Sequence, residues 1–116
     1  MTILYKSETY NLTTTNLTTV LTINASSVAI VKMVQTVHDT ASNVDTDLYV
    51  KKSGGSDVQI AHETINKTTI NFLKDTLNLE EGDVIKIQAD TANEITGVVS
   101  YALINRENEN GWYIKN

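Results

Sequence analysis

Two histidines, His38 and His62, and a few paired carboxylates are the side chains of this 116-residue chain best equipped for chemistry. His38-Asp39 and His62-Glu63 would offer zinc a set of nitrogen and oxygen donors if folding brought them together. Neither histidine has a second His or a carboxylate at a recognised ligand spacing, however. Histidines at strand ends beside acids are common and need no metal. Asp45-x-Asp47 puts two carboxylates on one face of a strand, roughly 7 Å apart, a spacing that binds calcium when loop oxygens complete the shell. No Asp-x-Asp-x-Asp-Gly loop follows, and a solvated strand face accounts for the pair more simply. Glu80-Glu81-x-Asp83 reads as a polar turn for the same reason.

The reactive arrangements that enzymes use are missing. There is no Gly-x-Ser-x-Gly elbow, and neither histidine has an assignable orienting partner for a serine nucleophile. Gly54-Gly55-Ser56 is too short to cradle a phosphate and precedes a strand, where a nucleotide loop needs a helix N-terminus. Glycoside cleavage by paired acids needs a groove lined with aromatics, and the chain has one Trp, one Phe and five Tyr. Cysteine is absent, which excludes disulfides, thiolate metal sites and a Cys nucleophile. Asn-x-Ser/Thr sequons at Asn11, Asn16, Asn24 and Asn66 follow from the richness in Asn and Thr. The expectation is a protein without catalytic site or cofactor.

The elements that position these residues are strands. Period-two alternation recurs along the chain, as a half-buried strand shows and an amphipathic helix does not. Ser27 to His38 carries Val28, Ile30 and Val34 on one side and Ala29, Val31, Met33 and Val37 on the other, which predicts a central strand. Val44, Thr46, Leu48 and Val50 face one way in the next segment, with Asp45, Asp47, Tyr49 and Lys51 on a wet face. Gly54-Gly55-Ser56 then makes a hairpin turn into Val58 to His62, with Val58, Ile60 and His62 on one side. Thr68 to Leu73 is a further strand, and Lys74 to Gly82 is either one helical turn or a tight loop. In Asp83 to Ala89, Ile85, Ile87 and Ala89 point inward. Glu94 to Ile104 is apolar on both faces, and the Thr-rich Thr9 to Asn24 adds one or two strands. Seven to nine short strands and no convincing helix predict a single all-β domain, an antiparallel β-sandwich or jelly roll spanning residues 1–116.

Composition narrows the partners. The chain is 41% hydrophobic and 20% charged, in the ordinary globular range. Its net charge of −5 comes with a single arginine, Arg106, and scattered lysines, so no basic stripe exists to neutralise phosphates and nucleic acid is not an expected partner. No apolar run approaches the roughly 18 residues of a membrane span. The opening MTILYKSETY lacks the basic, apolar and cleavage regions of a signal peptide, so synthesis in the cytoplasm without secretion is expected.

From about Leu17 to Ile104 the chain resembles small β-sandwich virion proteins of tailed bacteriophages. The Thr-rich Leu17 to Asn24 leads through Asn24-Ala25-Ser26-Ser27 into Val28-Ala29-Ile30-Val31-Lys32, where such proteins often carry a Pro-Ala-Gly turn. Leu77-x-Leu79-x-x-Gly82-Asp83-x-Ile85-x-Ile87 and Val98-Val99-Ser100-Tyr101 follow in the same order. The resemblance implies a non-enzymatic virion subunit, such as a capsid decoration or cement protein or a neck or tail accessory protein. Such a subunit forms a symmetric homo-oligomer and packs on major capsid or neck and tail proteins. The alternative is a carbohydrate-binding or receptor-binding tip, or a fibre or baseplate module, with or without calcium at Asp45 and Asp47. The residues expected at interfaces lie on two arms, about 1–10 and 105–116: Leu4 and Tyr5 on the first, Trp112, Tyr113 and Ile114 on the second.

Overall fold

The segment apolar on both faces, Ser27–His38, becomes the centre of the larger sheet. The computed structural model describes residues 2–105. Within them β3 (Ser27–His38) is flanked by β9 (Ile95–Asn105) on one side and by two short strands, β6 (Thr68–Asn71) and β7 (Leu77–Leu79), on the other. β1 (Thr2–Leu12) closes this five-stranded sheet A at its far edge, antiparallel to β9. The four-stranded sheet B runs in the order β2 (Thr18–Thr22), β8 (Val84–Ala89), β4 (Val44–Lys51), β5 (Asp57–Ile65). Every pairing is antiparallel, and the two sheets form the expected β-sandwich, with no helix among the described residues.

Between the sheets, Val31, Val34 and Val99 of sheet A meet Leu48, Ile85 and Ile87 of sheet B, all at 0% exposure. Truncating such a side chain to alanine typically costs about 2–5 kcal/mol, because the cavity collapses only in part. Branched side chains dominate because they pack well on a pleated surface. Tyr10 closes the β1 side. Its ring lies over Gly97, and its hydroxyl donates to Gln35 O at 3.0 Å and shares a 2.6 Å bond with Thr36 Oγ1. A Cβ at Gly97 would fall 2.4 Å from that hydroxyl and 2.0 Å from Gln35 O, so only glycine admits the ring. Burial pushes the Tyr10 phenol up to about 12.

Several strand readings change in detail. A bulge between Val31 and Met33 adds one residue to β3, so Val34 and Thr36 turn inward with Ala29 and Val31, while Val28, Ile30, Met33 and Val37 face out. In β5 a bulge at Ile60 separates Val58 from the alternation of His62. Lys74 to Gly82 is neither helix nor mere loop, because Leu77–Leu79 pairs with Ala29–Val31 as β7. Residues 2–10 of the expected N-terminal arm belong to strand β1, which is paired with β9 along its whole length. Its polar sequence gives little alternation, and its pairing comes from the exposed backbone of β9.

The corner after β7 explains the Gly82-Asp83 motif. Gly82 holds φ +83°, its N–H donates to Ile23 O at 2.9 Å, and a Cβ there would lie 2.8 Å from Ser53 Oγ. Asp83 is 1% exposed and accepts from the Ser53 amide at 3.0 Å, the Glu80 amide at 2.7 Å and the Lys52 ammonium. Burial works against its charge, but the hydrogen bonds from Lys52 and the two amides outweigh it and hold the carboxyl below its ordinary value. The hairpin from β4 to β5 turns at Gly54, φ +77°, as the glycines foretold.

Candidate interaction surface

The residues with chemical potential are dispersed across the sandwich. His38, 1% exposed, points inward from the end of β3, with Nδ1 3.2 Å from Glu94 O and Nε2 2.7 Å from Ser42 O. It straps the β3–β4 loop to the start of β9. His62 lies on the outer face of the other sheet, with Nδ1 2.5 Å from Asp47 Oδ1. That hydrogen bond, with smaller help from Asp45 and Glu63, raises the imidazole above its ordinary value. The two histidines belong to opposite faces of opposite sheets, and no group of three metal-ligating side chains forms among the described residues.

Asp45 and Asp47 do share the outer face of β4. Both already accept hydrogen bonds, Asp45 from Thr64 Oγ1 at 2.6 Å and Asp47 from His62 and, at 3.4 Å, Gln59. They border a shallow cleft of about 310 Å³ with Thr15, Gln88 and Asp90, whose carboxylate takes the Asp45 amide at 3.2 Å. The second cleft, about 410 Å³, runs under the overhang of β5 between residues 60–63 and 72–74. Neither brings a nucleophile to a base. Glu80 accompanies Asp83 on Lys52, a structural knot, and Glu81 accepts the Ser26 amide at 2.6 Å.

The surface that stands out is a face. The strand register puts Ile3, Tyr5, Ser7, Thr9 and Asn11 of β1 beside Ile104, Ala102, Ser100, Val98 and Thr96 of β9. Those in turn lie beside Val28, Ile30, Met33, Gln35 and Val37 of β3. None of these residues is charged, nor are Asn78 of β7 and Thr69 and Asn71 of β6, which complete the outer face of sheet A. Lys32, the bulge residue, supplies the one charge among the described residues of this face, its ammonium 5.0 Å from the centre of the Tyr5 ring. One end of the face is apolar: Ile3 is 47% and Tyr5 77% exposed, with Val28, Ile30, Met33 and Ile104 half-buried around them.

Leu4 and Tyr5, expected at an interface, are both exposed, Tyr5 on the outer face and Leu4, 47% exposed, on the opposite face of β1. Trp112, Tyr113 and Ile114 lie outside the described residues. The sequence reading missed Ile3, Val28, Ile30, Met33 and Ile104 as one surface. Alternation marked β3 and β9 as apolar on both faces, but which face lacked a covering layer depended on the bulge and on sheet order. It also missed Val58 and Ile60, 58% and 43% exposed on the β5 edge.

No protein-family model matches this sequence, and no curated protein matches it in sequence. Among solved structures it is similar to a chain reported under the description "Bacillus endospore appendages form a novel family of disulfide-linked pili", with a TM-score of 0.50 and 14% identity. The likeness covers 88% of this chain and 86% of that one, and it is a likeness of fold.

Proposed function

We propose that this chain is a non-enzymatic structural subunit of a tailed-phage virion, a capsid decoration or a neck or tail accessory protein, working by packing in a symmetric assembly. The observation that carries the reading is the outer face of sheet A, three long strands and two short ones with a single charge and an apolar end. Contiguous exposed apolar surface of this kind marks interaction sites, and interface centres are depleted of charge and enriched in aromatic residues such as Tyr5. The order of sequence features shared with small β-sandwich virion proteins supplies the virion context. The solved neighbour builds pili joined by disulfides; with no cysteine in this sequence, the proposed contacts are non-covalent.

In this role a standard interface removes roughly 1,600 Å² from water, and repetition by symmetry multiplies a modest contact into a durable one. The test is occupancy of purified phage particles, by quantitative mass spectrometry, with the native chain or with Ile30→Lys. Ile30 is half-buried on the outer face, so lysine there charges the contact without entering the core. Native chain in the particles at a fixed stoichiometry, lost with Ile30→Lys, is the expected result. Absence from particles, or a specific chelator-sensitive glycan-array signal from the purified chain, overturns the reading.

A further inference from the structure

Four sheet edges close this sandwich, and three are blunted. β2 is five residues long and bulged between Thr19 and Leu21. β5 is interrupted by the bulge at Ile60. The edge of β3 is covered by two short strands, with Asn71 Oδ1 accepting the Val34 amide between them at 3.1 Å. β1 is different: it is eleven residues long and stays in unbroken register with β9 from Thr2↔Asn105 to Leu12↔Ile95. It has no proline and, among the described residues, β9 is its one strand partner. A long regular edge with exposed Ile3, Leu4 and Tyr5 is a template for another strand.

We propose that the occupant is β1 of a second copy, paired antiparallel about a two-fold axis at Ser7. Continuing sheet A with both sheets B on the same side requires facing residues to share a face, so the centre falls on a residue. Centring on Ser7 overlaps all of Thr2–Leu12 with itself and sets Lys6 opposite the partner's Glu8, twice by symmetry. Centring on Lys6 opposes Lys6 to the partner's Lys6, and centring on Glu8 opposes the two glutamates, each a like-charge pair that disfavours that register. Lys6 and Glu8 are exposed and enter no ion pair among the described residues. Leu4, half exposed on the inner face, comes to lie beside the partner's Tyr10, and β2 beneath carries no charge to repel its copy.

The inference deepens the structural-subunit reading by naming the partner of β1, and its charge-reversal readouts use Lys6 and Glu8, which lie off the outer face. The dimer doubles sheet A and joins two faces, each carrying Lys32 as its one charge among the described residues, into one platform. Sedimentation equilibrium of the full chain is expected to show a dimer that Lys6→Glu or Glu8→Lys each weakens about tenfold. The double reversal Lys6→Glu/Glu8→Lys restores it, because the pairing is self-complementary. The chain is free of cysteine, so Ser7→Cys, on the axis at a cross-strand spacing a disulfide can span, is expected to give a covalent dimer on mild oxidation, while Asn11→Cys does not. A monomer at every concentration, a double reversal no better than the single ones, or equal cross-linking at Asn11 overturns the two-fold pairing. Particle occupancy by a monomer would leave the structural role standing without it.

Discussion

Sheets A and B enclose one interior with the same branched residues and present opposite chemistry to the outside. On sheet B the outer face carries Asp45, Asp47 and Lys51 on β4, Lys86 on β8 and Asp57 and His62 on β5, tied in pairs such as Lys86–Asp57 at 2.9 Å. On sheet A the outer face carries Lys32 as its only charge among the described residues. The inner patterns would close the sandwich whatever faced outward. The missing charge on sheet A is therefore not a folding requirement, whereas exposed ion pairs on sheet B keep a face wet at little gain in stability. Apolarity on both sides of β3 and β9 reads in sequence as burial on both sides. Here the second side has no covering layer among the described residues.

The comparison can be broken most sharply at Gly97. Gly97→Ala puts a methyl into the Tyr10 ring and is expected to cost about 3 kcal/mol in chemical denaturation, lifting β1 and with it the outer face of sheet A. An unchanged midpoint would mean that Tyr10 does not hold that edge.

On the sheet B side, Asp83→Ala strands the Ser53 and Glu80 amides, for an expected loss of about 2 kcal/mol. Since the native carboxyl lies below its ordinary value of about 4, its contribution is complete above that pH and disappears as pH falls through the lowered native value. The variant should accordingly lose less stability on acidification than the native chain. Equal acid slopes would remove Asp83 as the acid-sensitive group.

Within the shared interior, Thr46 is 0% exposed and its hydroxyl has no hydrogen-bond partner among the described residues. Thr46→Val should raise stability by about 1 kcal/mol, read as a higher denaturation midpoint, and a lower midpoint would show that the hydroxyl is satisfied.

The smallest effect belongs to the wet face. His62 should titrate above the ordinary imidazole value in an NMR pH series and move back toward it in Asp47→Asn. Because its native value is raised, any stabilisation it gives is present at acid pH and lost as pH rises through that value. A titration at the ordinary value in the native chain would dissolve the His62–Asp47 pair.

Much of this was legible in advance where one residue of each pair had to be buried. Val44 to Lys51 and Val84 to Ala89 alternate strictly, and their inner and outer residues fall as the pattern dictates. Gly54 and Gly82 marked backbone that other residues rarely adopt, and both sit at positive φ. Legibility failed at bulges, where one extra residue reverses every later side chain, as at Lys32 and Ile60. It failed also at β1 and β7, whose residues need no apolar period because their pairing is supplied by a neighbouring strand's open edge. Leu4 and Tyr5 were visible as apolar residues near a terminus, but their membership of a regular edge strand was not.

The amino-acid order alone determined that the chain folds as strands around a core of Val, Ile and Leu, without cysteine chemistry, since those follow from residue type and local period. Which faces are left uncovered, and that Lys6 and Glu8 flank the centre of an open edge, only the tertiary structure decided. Facing and edge position depend on sheet order and bulges set by residues distant in sequence, and no local pattern encodes them.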